Sequence, residues 1–336
     1  MYFFRRQTIA LMIGLLAMIA GYRIGYRRLV GTAYPLLLIT IVLLVLVLIP
    51  GVGSKAGGSS RWIKLGSFGF QPGELAKITF VVYLACSLTR KREKIKAFGA
   101  GFLPHLLVSA VLILLLLRQP DFGTAAVLTI VLFFMLFVAG TKLSYILVAA
   151  LAALPMAYGL IAGSEYRMRR LLAFLDPWSH RFDIGYQISE SLMSFGSGGI
   201  FGVGLGEGKH KLFFLPAAHT DFIYSIVGEE LGMIGAVALM LLFGVVVWRG
   251  IRIALRAPDL FGTYVAFGFT ILIGLQGLTN MGVVTGLLPT KGLTLPFFSY
   301  GGSSLICNLA AVGVLLSISK ASWSAEQAPD AKVTWP

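Results

Sequence analysis

The chain has 336 residues, 57% of them hydrophobic and 12% charged, with a mean hydropathy of +0.86 and a formal net charge of +14. Soluble domains carry about a quarter charged residues, and apolar runs of about 20 residues cross a bilayer as helices, so an ordinary soluble domain is excluded. The expected fold is all-α, a polytopic helical bundle integral to the membrane.

The basic residues lie in short loops between apolar runs, where they read as topology charge with affinity for anionic head groups; no nucleic acid partner is expected. Cys86 and Cys307 fall within apolar runs and give no disulfide framework. His105, His180, His210 and His219 are scattered, with no metal-ligand spacing of the HExxH kind. No metal site and no cofactor are expected, and dependence on a divalent cation such as Mg or Mn has no recognisable ligand set. The apolar run after Arg6 continues into a multi-span pattern, which argues against a cleavable signal peptide.

In chain order, apolar runs predict spans at about 8–21, 30–50, 72–88, 101–117, 122–140, 143–162, 221–248, 261–288 and 302–318. These form a single membrane domain over 1–318, interrupted by one long polar stretch from Gly163 to Thr220, and 319–336 is expected to be a short disordered cytoplasmic tail. The positive-inside rule then makes the loops 22–28, 90–96 and 248–256 cytoplasmic, with Lys142. The loops 51–71, 163–220 and 289–301 fall on the extracytoplasmic side. Arg5 and Arg6 are left outside, and the first span is short; both points suggest a chain that begins one span late.

Four stretches break the apolar pattern on the outer side. GGSSRWIKLGSFGFQPGELAK (57–77) begins flexible and ends in a helix start at Pro72. Trp62 beside Arg61 and Lys64 suits an interface, where a belt tryptophan with snorkelling cations explains it equally well. Glu74 and Lys77, one turn apart, read as a structural ion pair. Asp121, in RQPDFGT, opens a span and reads first as a helix cap. GSGGIFGVGLGEGKHK (196–211) fails the phosphate-loop pattern. Its glycines permit either a backbone surface for a bulky ligand or an irregular loop packed on the bundle. PTKGLTLPFFSYGGSS (289–304) cannot form a regular helix, and such backbone near a membrane lines something protein-buried or wet.

LPAAHTDFIYSIVGEELG (215–232) places Asp221, Glu229 and Glu230 at the start of and inside a span, in a chain with only 14 Asp and Glu. Ionisable groups at membrane depth point to function. The outer stretches also hold Asp121, Asp176, Asp183 and Glu190, among Arg61, Lys64, Arg118, Arg167, Arg169, Arg170, Arg181, Lys209, Lys211 and Lys291. Cations around a few carboxylates suit a phosphate-bearing substrate with a reactive hydroxyl. No GxSxG and no Cys/His pair is present, but one carboxylate suffices as general base for an inverting displacement at a sugar carbon. Asp221, directly after His219 and Thr220, fits that role and also fits an inert N-cap. Glu229 lies about 12 Å further along the helix axis and reads as structural, as does Glu230.

The segments RWIKLG with FQPGELAK, QPDFGTA, FLDPW with GYQ, GSGG with GVGLGEGKHK, LPAAHTDFIYSIVGEELG and GLLPTKGLTLPFFSYGGSSL occur in the order of the SEDS family (shape, elongation, division and sporulation), which the chain resembles over nearly its whole length. Members include FtsW, RodA and SpoVE, and TKGLTLPFFSYGGSS is more similar to the division member than to the elongation member. The resemblance implies ten spans, against about nine here, and peptidoglycan glycosyltransferase activity. Lipid II disaccharides would be joined by β-1,4 bonds with release of undecaprenyl diphosphate, on the extracytoplasmic face of the bacterial cytoplasmic (inner) membrane at the division septum. It also implies a class B penicillin-binding protein, a transpeptidase, as partner, with other division proteins. The family aspartate maps to Asp221 as catalytic base, the first-loop tryptophan to Trp62, and the QPD and SYGG positions to Asp121 and to Ser299, Tyr300, Gly301 and Gly302. With these, Arg61, Lys64, Arg169, Lys209, Lys211, His219, Thr220 and Lys291 make up the expected substrate-binding set. The chain departs from the family at Ala217, Glu207, Gly208, Glu190 and Gly73. Two other readings are a lipid II flippase, with the embedded acids lining a pathway, and a non-enzymatic scaffold that recruits the transpeptidase.

Overall fold

The structure is a computed structural model and describes residues 2–56, 59–65, 68–213 and 215–327. A helix stands over every expected span: α1 (Tyr2–Ile24), α2 (Leu29–Leu48), α3 (Pro72–Arg90), α4 (Leu103–Arg118), α5 (Phe122–Val138) and α6 (Leu143–Ala162). After α6 come α7 (Glu165–Leu175), α8 (Tyr186–Gly198) and the single turn α9 (His210–Phe213), then the long α10 (Ile223–Arg256), α11 (Leu260–Val284) and α12 (Gly302–Gln327). Among the described residues, seven helices are long and apolar enough to cross a membrane, and α5 is a shorter apolar helix. The ninth, α3, has 19 residues and carries Glu74 and Lys77.

Three expectations are corrected. The first span is not short: α1 runs 23 residues and takes in Arg5 and Arg6, because arginine is a good helix former whose stem can lie along apolar surface. Residues 319–327, expected to be disordered, continue α12; the rest of the tail, 328–336, lies outside the described residues. The loop 51–71 is not irregular throughout, for β1 (Gly53–Ala56), β2 (Ser59–Leu65) and β3 (Phe68–Phe70) form an antiparallel sheet in that order. Its expected flexible start, Gly57 and Gly58, lies outside the described residues.

The chain divides into two compact units. The first takes in the chain up to Leu143, Val246–Ile273 and the part from Gly302 onward. Its central helix is α3, 15 of whose 19 residues are buried. A helix buried on all sides must neutralise its own charges, and Lys77 Nζ does so by donating to Glu74 Oε1 at 2.8 Å. In the same unit α1 and α12 pack through small residues: a Cβ on Gly313 would lie 2.2 Å from the Met18 carbonyl oxygen. Such close backbone approach substitutes in lipid for the hydrophobic drive that soluble helices use.

The second unit comprises Ser144–Val245 and Gly274–Gly301. Within it α10 is broken at Gly232 (φ 67°, ψ −166°). A break inside a span frees backbone groups that lipid cannot satisfy. The glycine-rich stretch supplies their partners. The amides of Val203 and Gly204 donate to the carbonyls of Glu229 and Glu230 at 3.0 and 3.1 Å, and those of Met233 and Ile234 donate to Gly199 and Ile200 at 2.9 and 3.3 Å. The glycines are required by that proximity. A Cβ on Gly198 would lie 2.1 Å from the Gly228 oxygen, and one on Gly202 (φ 84°) would lie 2.2 Å from the Glu230 oxygen. The glycine-rich stretch is thus packed on the bundle, one of the two readings open from the sequence.

Gly202→Ala is therefore expected to lower stability by about 1–3 kcal/mol, since it adds both strain and a backbone clash. Gly196→Ala, on an exposed face of α8 with nothing within 4 Å, should be neutral or stabilising by up to about 1 kcal/mol. Thermal unfolding of the two variants in detergent checks the contrast.

Candidate active site

Asp221 lies in the turn that leads into α10, in the second unit. The turn opens at Ala217, whose left-handed backbone (φ 59°) costs a residue with a side chain about 1–2 kcal/mol. In return its carbonyl accepts from the amides of Thr220 and Asp221 at 3.0 and 3.1 Å and from the Thr220 hydroxyl at 3.2 Å. The chain thus arrives at Asp221 through a closed turn rather than a free loop, and α10 begins two residues later at Ile223.

The far side of this turn is held by the loop 289–301. Three successive carbonyls each accept a hydrogen bond: His219 from the Tyr300 amide at 2.8 Å, Thr220 from the Ser299 hydroxyl at 2.5 Å, and Asp221 from Asn280 Nδ2 at 2.7 Å. Ser299 Oγ also accepts from the Leu295 amide at 2.7 Å, and Asn280 Nδ2 also donates to the Leu293 carbonyl at 2.7 Å. Ser299 and Asn280 therefore tie the HTD turn to the loop's own backbone. That loop passes close to the carboxylate, since a Cβ on Gly292 would lie 3.0 Å from Asp221 Oδ2. Lys291, the residue before, is half-buried, and burial holds its ammonium below the ordinary lysine pKa. Arg170 Nη1 reaches the carbonyl of Thr290 at 3.4 Å.

His219 is exposed and Thr220 half-buried. Asp221, His219, Thr220, Lys291, Ser299 and Tyr300 are thus neighbours in the second unit. Asn280 is missing from the expected set. Its signal was a polar pair one turn apart, Gln276 and Asn280, in an otherwise apolar span, each 1% exposed.

Two cations of the expected set, Lys211 and Arg169, have carboxylate partners here, and Lys209 is tied through its backbone. Lys211 Nζ binds Glu230 Oε1 at 2.5 Å and the Gly206 carbonyl at 2.7 Å. Lys209 gives its amide to Glu229 Oε1 at 2.8 Å. Arg169 pairs with Glu165 at 2.7 Å on an exposed turn of α7, where such a pair contributes well under about 1 kcal/mol. Glu229, which is buried, also accepts from His210 Nδ1 at 3.0 Å and from the Ser194 hydroxyl at 3.2 Å. Glu229 and Glu230 thus clamp the glycine-rich stretch onto the broken helix, as structural acids.

The remaining expected residues belong to the first unit, apart from Gly301. Asp121 caps α5, accepting from the Thr124 amide at 3.2 Å and its hydroxyl at 2.9 Å. Arg61 donates to the carbonyls of Gln119 and Pro120 and lies 3.9 Å from Asp121 Oδ1. Gln119 in turn donates to the Leu44 carbonyl at 2.8 Å. This network fastens the sheet to the start of α5. The Trp62 ring lies over Gly69, whose Cβ would meet it at 3.2 Å, and Lys64 is exposed. Gly302 opens α12, and the half-buried Gly301 precedes it.

The family model described as "Cell cycle protein", covering FtsW, RodA and SpoVE, matches residues 1–323. A Geobacter metallireducens protein named probable peptidoglycan glycosyltransferase FtsW is 52% identical over 318 residues, 95% of this chain and 85% of that relative. Stage V sporulation protein E of Bacillus subtilis is 44% identical over 321 residues, 96% of this chain and 88% of its own. Among solved structures, a chain of a peptidoglycan synthase complex that coordinates polymerization and crosslinking superimposes with a TM-score of 0.81 at 34% identity, over 96% of this chain and 90% of that one. The Rod shape determining protein RodA of Thermus thermophilus superimposes with a TM-score of 0.71 at 34% identity, over 95% and 88%. The chain belongs to the FtsW/RodA/SpoVE family, and it is a bacterial membrane protein with the SEDS fold.

Two outcomes follow for this site. Asn280→Leu keeps the size of the side chain but strips hydrogen bonds from two carbonyls, and leaving such groups unsatisfied costs about 1–3 kcal/mol each; a thermal unfolding scan should register the loss. Burial lowers the pKa of Lys291, so the folded state disfavours its charge and the penalty is fully present below the folded value. It is relieved as pH rises through the folded value toward the ordinary value of about 10.4. Lys291→Met should remove this rise, leaving stability flatter between pH 7 and pH 10 (about 3 units of titration range).

Proposed function

We propose that this family member polymerises the glycan strand of peptidoglycan from lipid II, with Asp221 as the general base. It is a peptidoglycan glycosyltransferase of the division branch, supported by about half-identical relatives that carry that name. The observation that carries the proposed role of Asp221 is its backbone: three hydrogen-bonded carbonyls in succession hold it, and its carboxylate lies against Gly292, where no side chain intervenes.

The chemistry needs one base and a stabilised leaving group. The acceptor sugar hydroxyl loses its proton to an Asp221 carboxylate oxygen as its own oxygen forms the new bond to the donor C1. The C1–O bond to phosphate breaks on the opposite face, and undecaprenyl diphosphate leaves with the electron pair, so the anomeric centre inverts to the β-1,4 linkage. A rigid base next to the reacting hydroxyl lowers the barrier through orientation as well as basicity. The half-buried Lys291, whose ammonium is poorly solvated, gains more from an arriving diphosphate than an exposed lysine would. Arg170, anchored on the adjacent carbonyl, is placed to add a second cation.

The reaction would occur on the extracytoplasmic face of the inner membrane, at the septum, alongside a class B penicillin-binding protein and other division proteins. A solved neighbour from a complex that joins polymerization to crosslinking supports a transpeptidase partner.

With purified protein and lipid II, Asp221→Ala and Asp221→Asn should reduce polymer formation by about 10²–10⁴-fold, the usual worth of a general base, while both variants remain folded in detergent. Unchanged polymer from both would remove Asp221 from the mechanism. No polymer from the wild-type chain either, with lipid II movement across vesicles intact, would favour a flippase. A chain that does neither but still retains the transpeptidase would be a scaffold.

A further inference from the structure

Near the end of α1 that carries Arg23, α1 and α12 border a groove of about 650 Å³ within the first unit. Its walls divide by chemistry. Met18, Ile19 and Leu316 make an apolar half, while Tyr22, Lys320 and Trp323 make a polar, aromatic half to which Ser319 and Ser324 add hydroxyls. Lys320 Nζ sits 5.2 Å from the centre of the Tyr22 ring, a cation–π geometry. That contact fixes where the ammonium lies and leaves its N–H donors available to an oxygen anion. Trp323 is 63% exposed, and tryptophan and tyrosine together mark the level of lipid head groups.

We propose that this groove binds one anionic phospholipid. The phosphate would accept from Lys320 and the Ser319 hydroxyl, since that of Ser324 donates to the Lys320 carbonyl at 3.1 Å, and the upper part of an acyl chain would lie along Met18, Ile19 and Leu316. Charge and depth select this occupant. The same end of the chain's helices bears Arg23, Arg27 and Arg28, the basic side that faces the cytoplasmic leaflet and attracts anionic lipid. A free phosphate would use the cationic half but gain nothing from the apolar one. A zwitterionic lipid would use the apolar half but bring its own cation to Lys320. The inference is independent of the catalytic proposal, because no residue of the groove takes part in that reaction.

Native mass spectrometry of the full chain, with equal amounts of phosphatidylglycerol and phosphatidylcholine, tests it. One phosphatidylglycerol should be retained in preference. Lys320→Gln should lower that retention about fivefold, the usual effect of one juxtamembrane cation, and Lys320→Arg should keep it. Leu316→Trp, which fills the apolar half from an exposed position, should lower retention without altering the charge. Glycerol 3-phosphate in excess should not compete. Equal retention of the two lipids, a Lys320→Gln loss no larger than that of the exposed Arg249→Gln outside the groove, or displacement by glycerol 3-phosphate would each overturn the proposal.

Discussion

Three carbonyls in a row, those of His219, Thr220 and Asp221, are the constraint on which the proposed role of Asp221 depends. Each is bonded by a different donor: the Tyr300 amide, the Ser299 hydroxyl and the Asn280 side chain. Backbone held at successive residues cannot twist, so the side chain that follows inherits a fixed origin. In the proposed reaction, a turn held in this way by an irregular loop would give the carboxylate the precision that proton transfer demands. The glycine at 292 completes the arrangement, since any side chain there would crowd Asp221.

The same economy governs the break in α10. A carboxylate-bearing turn needs irregular backbone around it, and irregular backbone at membrane depth must find its own partners. The glycine-rich stretch meets that demand by laying its amides and carbonyls against those freed at Gly232, while Glu229 and Glu230 bind its far end through His210 and Lys211. These two acids, read as structural from the sequence, are the fasteners of a repaired helix. Asp121 is similar in the first unit, where it caps α5 beside Arg61.

Much of this was legible in the sequence, for definable reasons. Nine apolar runs of about 20 residues give a strong local signal, and a helix stands at each. Asp221 stood out because carboxylates are rare, and the order of six motifs identified its family. Less visible were features without a local signature. The strands span three to seven residues and include glycines and serines, so no alternation announced them. The break at Gly232 sits in LGMIGAV, which reads as uninterrupted helix. The pairing of Ser299 with Thr220 joins residues 79 apart, and that of Asn280 with Asp221 joins residues 59 apart. The polar pair Gln276 and Asn280 marks its span but does not say what either residue bonds, and Lys211 reads as a ligand for phosphate until Glu230 is seen beside it.

A turn held for catalysis and a turn held for binding predict different kinetics. Ser299 separates the two, because its hydroxyl joins the Thr220 carbonyl to the Leu295 amide. The decisive measurement is kcat and KM for lipid II polymerisation by Ser299→Ala. A positioning role predicts that kcat falls by about tenfold or more with KM little changed, the mark of an interaction realised only in the transition state. A rise in KM at unchanged kcat would contradict it, making Ser299 a substrate contact and leaving Asp221 without the support claimed for it.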